Sequence, residues 1–159
     1  MTMSQAKTPR IFLVVVDESP EMPVALHYAS RRAAHTGGKV ALLRVIPREE
    51  SHGLASIAAM IREETQKEAE QLLQRLAQTV VDEGGSLPVV YIREGMPSEQ
   101  VIDLVNSDPT ISTLVLAAGT GPEGPGPLVS YLASRAARLR IPVTIVPGGL
   151  TREQIDAIS

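Results

Sequence analysis

Residues 11–20 read Ile-Phe-Leu-Val-Val-Val-Asp-Glu-Ser-Pro, and the way this stretch changes character halfway along decides the fold. Ile11–Val16 is apolar without a break and β-branched at four of its six positions. Such a run fits a central strand covered on both faces, where the polar–apolar alternation of a half-exposed strand is lost. Asp17, Glu18, Ser19 and Pro20 stop it. Ser19 is placed to cap a helix, with Pro20 at the first helical position and Glu21 in a first turn that favours negative charge. Met22, Ala25, Leu26, Ala29 and Ala33 then recur at helical spacing, and Gly37-Gly38 ends the helix.

The same alternation repeats to the end of the chain. After the polar Lys39, Val40–Ile46 is a second strand; residues 47–58 hold a proline, a glycine and mixed charge and read as a long connection. A helix is expected from about Ile57–Ala59 to Asp82, its buried stripe being Ile61, Thr65, Ala69, Leu72, Leu73, Leu76 and Val80. Gly84-Gly85 closes it, and Pro88–Ile92 is a third strand. A short helix carries Val101, Ile102 and Val105 until Ser107-Asp108-Pro109 breaks it, and Ile111–Ala117 is a fourth strand. Gly119–Pro127 holds four glycines and three prolines in nine residues. A helix from about Leu128 to Leu139 would turn Leu132, Ala133 and Ala136 inward, with Arg135, Arg138 and Arg140 favouring its C-terminal end. Ile141–Val146 is the fifth strand, Pro142 marking it as an edge.

Strands separated by helical crossovers pair in parallel, and a parallel sheet is stable when helices cover both faces. The expectation is therefore an α/β, three-layer, doubly wound domain over residues 11–147. Residues 1–10 would be a flexible lead, and residues 148–159 a tail that adds a helical turn or stays mobile. Alternation alone does not give the strand order.

Composition narrows the function classes. The chain has 159 residues, 15 Lys+Arg against 18 Asp+Glu, and a formal charge of -3, so no basic face points to nucleic acid. Three Tyr, one Phe and no Trp leave few platforms for stacking bases. Without cysteine there is no disulfide scaffold, thiol catalysis or cysteine-ligated metal. Ile11–Val16 is far shorter than the roughly 20 residues that span a bilayer. Acidic residues follow it at once, so it does not read as an export signal either, and the expected location is the cytoplasm.

In an open α/β sheet ligands sit beyond the carboxyl ends of the strands. Asp17 and Glu18 leave strand one there, Val45–Arg48 leaves strand two, and the 119–127 loop leaves strand four. Glycine-loop amides and a following helix N-terminus can hold phosphate, and Thr120 and Ser130 can add hydroxyls; a loop simply broken by glycine and proline is the equal alternative. Asp17-Glu18 suits a divalent ion or a helix cap. No G-x-x-x-x-G-K-[ST], G-x-G-x-x-G or G-x-S-x-G motif occurs. His27, His35 and His52 form no tight pair and read as surface or loop residues rather than ligands.

Taken in order, these pieces resemble the universal stress protein family over residues 10–147. The matching features are Asp17 with a Ser-Pro helix start, Leu42–Ile46 (LLRVI), the V-x-Y-I-x-x-G-x-P segment ending at Gly95 and Pro97, the strand Leu114–Ala117 with its glycine loop, Ser130, and Ile-Pro-Val-Thr-Ile-Val at 141–146. The resemblance implies sheet order 3-2-1-4-5 and a homodimer joined through Ile141–Val146, with Val143 and Ile145 at or beside the interface. It also implies a stress-response module that binds ATP or a related adenine nucleotide, with Mg²⁺ as the accompanying ion. Asp17, Val45 and Ser130 match the family's binding positions; in its G-x2-G-x9-G-[ST] signature the second glycine falls on Gly119, or on Gly121 if the loop is two residues shorter, while the first falls on Leu116 or Ala118 and Val129 stands where the last glycine belongs. That replacement motivates the alternative of a structural or interaction module that keeps the fold without nucleotide. No catalytic residue is assigned. A slow ATP hydrolase is the third class, and the lack of lysine in the loop argues against fast turnover.

Overall fold

A computed structural model describes residues 8–48 and 54–159; residues 1–7 of the expected lead, most of the loop at 47–53, and His52 lie outside them. The elements are β1 (Ile11–Val15), α1 (Met22–Thr36), β2 (Lys39–Ile46), α2 (Ala55–Asp82), β3 (Val89–Glu94), α3 (Pro97–Ser107), β4 (Thr113–Ala118), α4 (Pro127–Ser134), β5 (Val143–Pro147) and α5 (Arg152–Ile158). The five strands form one parallel sheet in the order β3-β2-β1-β4-β5, as the resemblance implied.

β1 is central because its side chains are apolar in both directions. Phe12, Val14 and Val16 join Val40 and Leu42 beneath α1 and α2; Leu13 and Val15 join Leu43, Val45 and Leu114 beneath α3 and α4. Burying each of these larger side chains contributes on the order of 1.5–3 kcal/mol. α1 presents Ala25, Ala29 and Ala33, whose small side chains let its backbone lie close to the sheet. Gly37 ends it in the left-handed region at φ 68°, and the Gly38 amide donates to Ala33 O.

Several expectations are corrected. Ser19 does not cap α1: its amide and hydroxyl donate to the Asp17 carboxylate, and the helix starts at Met22 with Glu21 as its cap residue and Pro23 in the first turn. A carboxylate two residues upstream competes for Ser19 and bends the chain there instead. Of the expected α2 stripe, Ile61 is 42% exposed, and full burial begins at Ala69 and continues through Leu73, Ala77 and Val80. At roughly 1.5 Å per residue this 28-residue helix outruns the strands it covers, so its first turns overhang.

The expected helix 128–139 splits into α4 and a 3₁₀ turn at Ala136–Arg138, and Ala133 faces solvent. Arg140 serves a different helix from the one expected. Its guanidinium donates to Val105 O, Asp108 O and Ile111 O and so closes the C-terminal end of α3. β5 begins at Val143, two residues late, and Ile141 is buried ahead of it. Pro142 still contributes its carbonyl, which accepts from Leu114 N, so the missing donor is not needed.

Residues 151–158 add a helix that docks. Thr151 and Gln154 form a reciprocal capping box, Ile155 is buried, and the Asp156 carboxylate accepts from His27 Nε2 at 2.8 Å. His27 is thus a buried residue of α1 rather than a surface histidine. Arg32 donates to Ser159 O and Arg152 pairs with Glu83, so α5 is tied to both α1 and α2. Among the described residues no helix is long and apolar enough to cross a membrane.

The α3–β4 turn carries a titrating group. Asp108 accepts from the Thr110 amide and hydroxyl and from the Tyr91 hydroxyl, and these bonds, Thr110 first, hold its pKa below the ordinary 3.8. A lowered folded-state pKa adds stability above the ordinary carboxylate range, and that stability is lost as pH falls through the folded value. Replacing Asp108 with Asn is therefore expected to flatten the decline in stability below about pH 4, checked by urea titrations across the acid range.

Candidate functional site

Order 3-2-1-4-5 puts β1 beside β4 while their following helices lie on opposite faces, so the chain parts at the carboxyl ends of these two strands. Asp17 is built into the first wall. Val16 N donates to Leu43 O, the backbone then leaves the sheet, and Asp17 turns it by accepting both Ser19 bonds. Arg44 braces the same exit from the α1–α2 side, donating to Val16 O at 3.2 Å with Glu18 at 3.8 Å.

The opposite wall is the loop after β4, which is bonded to itself. Gly119 N donates to Pro125 O and Gly124 N to Gly121 O, while Pro122, Pro125 and Pro127 bring no amide hydrogens. Gly126 sits at φ 105°, a region that side chains avoid, and its carbonyl accepts from Ser130 N as α4 starts. Val129 is buried in the α3–α4 core and also lines the inner hollow beneath the start of α4.

Two connected hollows result. An inner one of about 90 Å³ lies between Asp17, Met22, Val115 and Leu116 under the start of α4. An outer, open cleft of about 700 Å³ is lined by Gly119, Thr120, Gly121, Glu123 and Ser130. Gly119, Gly121 and Ser130 of the expected site thus share one cleft, and Asp17 lies in the adjoining hollow. Val45 lines neither; it is buried one strand away, among the residues packed beneath α3 and α4.

Glu21, Gly126 and Pro127 border both hollows. Sequence reasoning gave Glu21 only a helix-dipole role, because nothing local shows that its side chain reaches the β4 loop. A Cβ built on Gly119 would lie 3.3 Å from Glu21 Oε1, so that carboxylate stands directly against the loop. Gly148 was also missed, although Gly148-Gly149 after strand five was the available signal. A Cβ there would fall 2.2 Å from Ala118 O and 3.0 Å from Glu21 Cβ.

The described lining carries Asp17, Glu21 and Glu123 and neither lysine nor arginine. No group of three or more His, Asp or Glu gathers among the described residues. A divalent ion would therefore need ligand oxygens to complete its shell, which is how Mg²⁺ commonly accompanies phosphate.

A family profile described as Universal stress protein family matches residues 9–147. No curated protein sequence matches significantly. Among solved structures, universal stress protein UspA from Lactobacillus plantarum superposes with TM-score 0.72 at 20% identity, over 89% of this chain and 99% of that one. A universal stress protein in complex with cAMP gives 0.64 at 17%, over 90% and 100%. The universal stress protein from Archaeoglobus fulgidus in complex with dAMP gives 0.59 at 15%, over 87% and 97%. At such identities these likenesses establish the shared fold.

Gly148→Ala tests the tight wall behind Glu21. Overpacking against Ala118 O is expected to cost about 1–3 kcal/mol, measured by chemical denaturation of the variant and the parent protein.

Proposed function

The chain belongs to the universal stress protein family, and on that premise we propose that its cleft binds an adenine nucleotide without rapid turnover, in a cytoplasmic stress-response role. The observation that carries this is the roughly 700 Å³ cleft at the β1–β4 parting, roofed by the glycine loop and the start of α4. That volume lies within the roughly 300–1,000 Å³ range of small-ligand sites. Relatives of the same fold hold cAMP and dAMP. In the proposed complex Asp17 orients the ribose or an accompanying ion, and the backbone at Val45 faces the base. Gly119, Gly121 and Ser130 approach the phosphate. ATP enters together with Mg²⁺, because the lining supplies carboxylates and no cation of its own. Rapid phosphoryl transfer is not proposed, since it needs organised positive charge and the described lining holds no lysine or arginine.

Two observations favour a second reading, an interaction module without nucleotide. The loop amides of Gly119 and Gly124 are engaged within the loop, and Val129 occupies the last glycine position of the signature. Mass spectrometry of small molecules released from gently purified protein, followed by calorimetry with AMP and with ATP plus Mg²⁺, separates the two. Micromolar to low-millimolar binding that weakens about tenfold in Asp17→Ala is expected from the first, one charged hydrogen bond being worth about 1.5–3 kcal/mol. No released nucleotide and no heat at millimolar ligand would leave the interaction module.

We also propose a homodimer through the β5 edge. Ile145 is 41% exposed there, whereas Val143 packs partly against the core and is the poorer site for a disruptive change. Ile145→Lys should remain folded by circular dichroism and shift toward monomer in sedimentation experiments. A parent protein that stays monomeric up to near-millimolar concentration excludes the dimer.

A further inference from the structure

The adenine-nucleotide reading leaves open how much charge the ligand may carry, and the position of Glu21 speaks to that. Its carboxylate lies against Gly119 at the junction of the two hollows. The base of the side chain is packed, because the backbone of Gly148 passes close to Glu21 Cβ and is itself bonded to Ala118 O. Its main-chain carbonyl accepts from Val24 N and Ala25 N, which fixes the residue as the first turn of α1 forms. No arginine or lysine among the described residues pairs with it. Arg44, the basic residue that braces the β1 exit, is directed to Val16 O and Glu18 instead.

The facing groups compound the effect. Asp17 adds a carboxylate on the inner side, and Glu123 adds one on the outer loop. Against these stand the weak positive end of α4, where Pro127 removes one amide, and a loop whose Gly119 and Gly124 amides already have partners. Each phosphate added to a ligand brings further negative charge toward the Glu21 carboxylate with little among the described residues to compensate it.

We propose that Glu21 is a specificity-determining residue that selects ligands by charge. The cleft takes an uncharged or singly phosphorylated adenine compound in preference to a free triphosphate, and a triphosphate enters only when a divalent cation screens it. This rests on the adenine-nucleotide reading. At about 4–6 Å and a near-surface effective dielectric, one like-charge pair corresponds to roughly a hundredfold to thousandfold penalty before salt and solvent screen it.

The test is calorimetry at low ionic strength with adenosine, AMP and ATP, each in EDTA and in Mg²⁺. The parent protein is compared with Glu21→Gln and Glu123→Gln, their folding checked by melting temperature. In EDTA the parent should bind ATP at least about tenfold more weakly than adenosine. Glu21→Gln should tighten ATP by about tenfold or more while leaving adenosine within about twofold, and Glu123→Gln, out on the loop, should change ATP less. Mg²⁺ should narrow the gap in the parent more than in Glu21→Gln. If Glu21→Gln does not fold, Glu21→Ser takes its place under the same criteria, and in the parent the adenosine-to-ATP preference should shrink as NaCl rises from about 20 to about 300 mM. ATP bound in EDTA as tightly as adenosine, or a preference that neither the substitution nor salt alters, overturns the role of Glu21 and leaves nucleotide binding intact. Failure of adenosine, AMP and ATP to bind under any condition overturns the nucleotide reading, and the role of Glu21 with it.

Discussion

β1 is hydrogen-bonded on both sides, to β2 and to β4, and packed on both faces, with Leu13 and Val14 fully buried in opposite directions. β2 and β4 are likewise paired on both sides, and β1 lies between them at the middle of the sheet. A strand with no free edge and no free face can change direction only where its apolar run stops. That point, Val16 to Asp17, fixes where α1 begins and where the sheet parts. The Asp17–Ser19 turn, the brace from Arg44 and the placement of Glu21 all follow from the need to leave a fully enclosed strand within a few residues.

The fold was legible because its signals are local and repeated. Ile11–Val16, Val40–Ile46 and Ile111–Ala117 each read as buried strands without knowledge of their neighbours, the last starting two residues early, and the alternation with helices forces parallel pairing. Strand order was not legible in that way, since right-handed crossovers permit several orders, and it came from the family resemblance. The misreadings share a cause, namely competition between groups whose partners lie elsewhere. Ser19 was lost to Asp17 as a cap, and Arg140 was drawn to the open carbonyls of α3, more than thirty residues earlier in part of that set. The α5 cap is a local signal that the reading of the tail left unused: Thr151-Arg-Glu-Gln154 is a capping-box sequence, and the box forms.

The site was legible in part for the same reason. Glycines 119 and 121 and Ser130 stand in one segment, so the sequence grouped them before the structure did. Glu21 belongs to the cleft through a contact across the β1–β4 parting, and Gly148 through its approach to Ala118 from β5. Neither relation has a sequence period. Val45 shows the converse: a residue matched to a pattern can be well placed on its strand while its side chain is enclosed in the core. Family membership here defines the scaffold, and the cleft's lining is then read from the residues that stand on it.

The docking of α5 carries a mechanical consequence. Asp156 and Ile155 grip α1 near its middle, while the cleft-facing Glu21 sits at the start of that same helix. The gripping contacts are side-chain bonds and one buried isoleucine, whereas α1 itself is pressed onto β1 and β4 along its length. A pull at α5 is shared between α1 and the end of α2, which Arg152 holds through Glu83. These few side-chain contacts are expected to yield before the sheet, whose strands are bonded to one another along their length, so that the helix detaches while the mouth of the cleft keeps its shape.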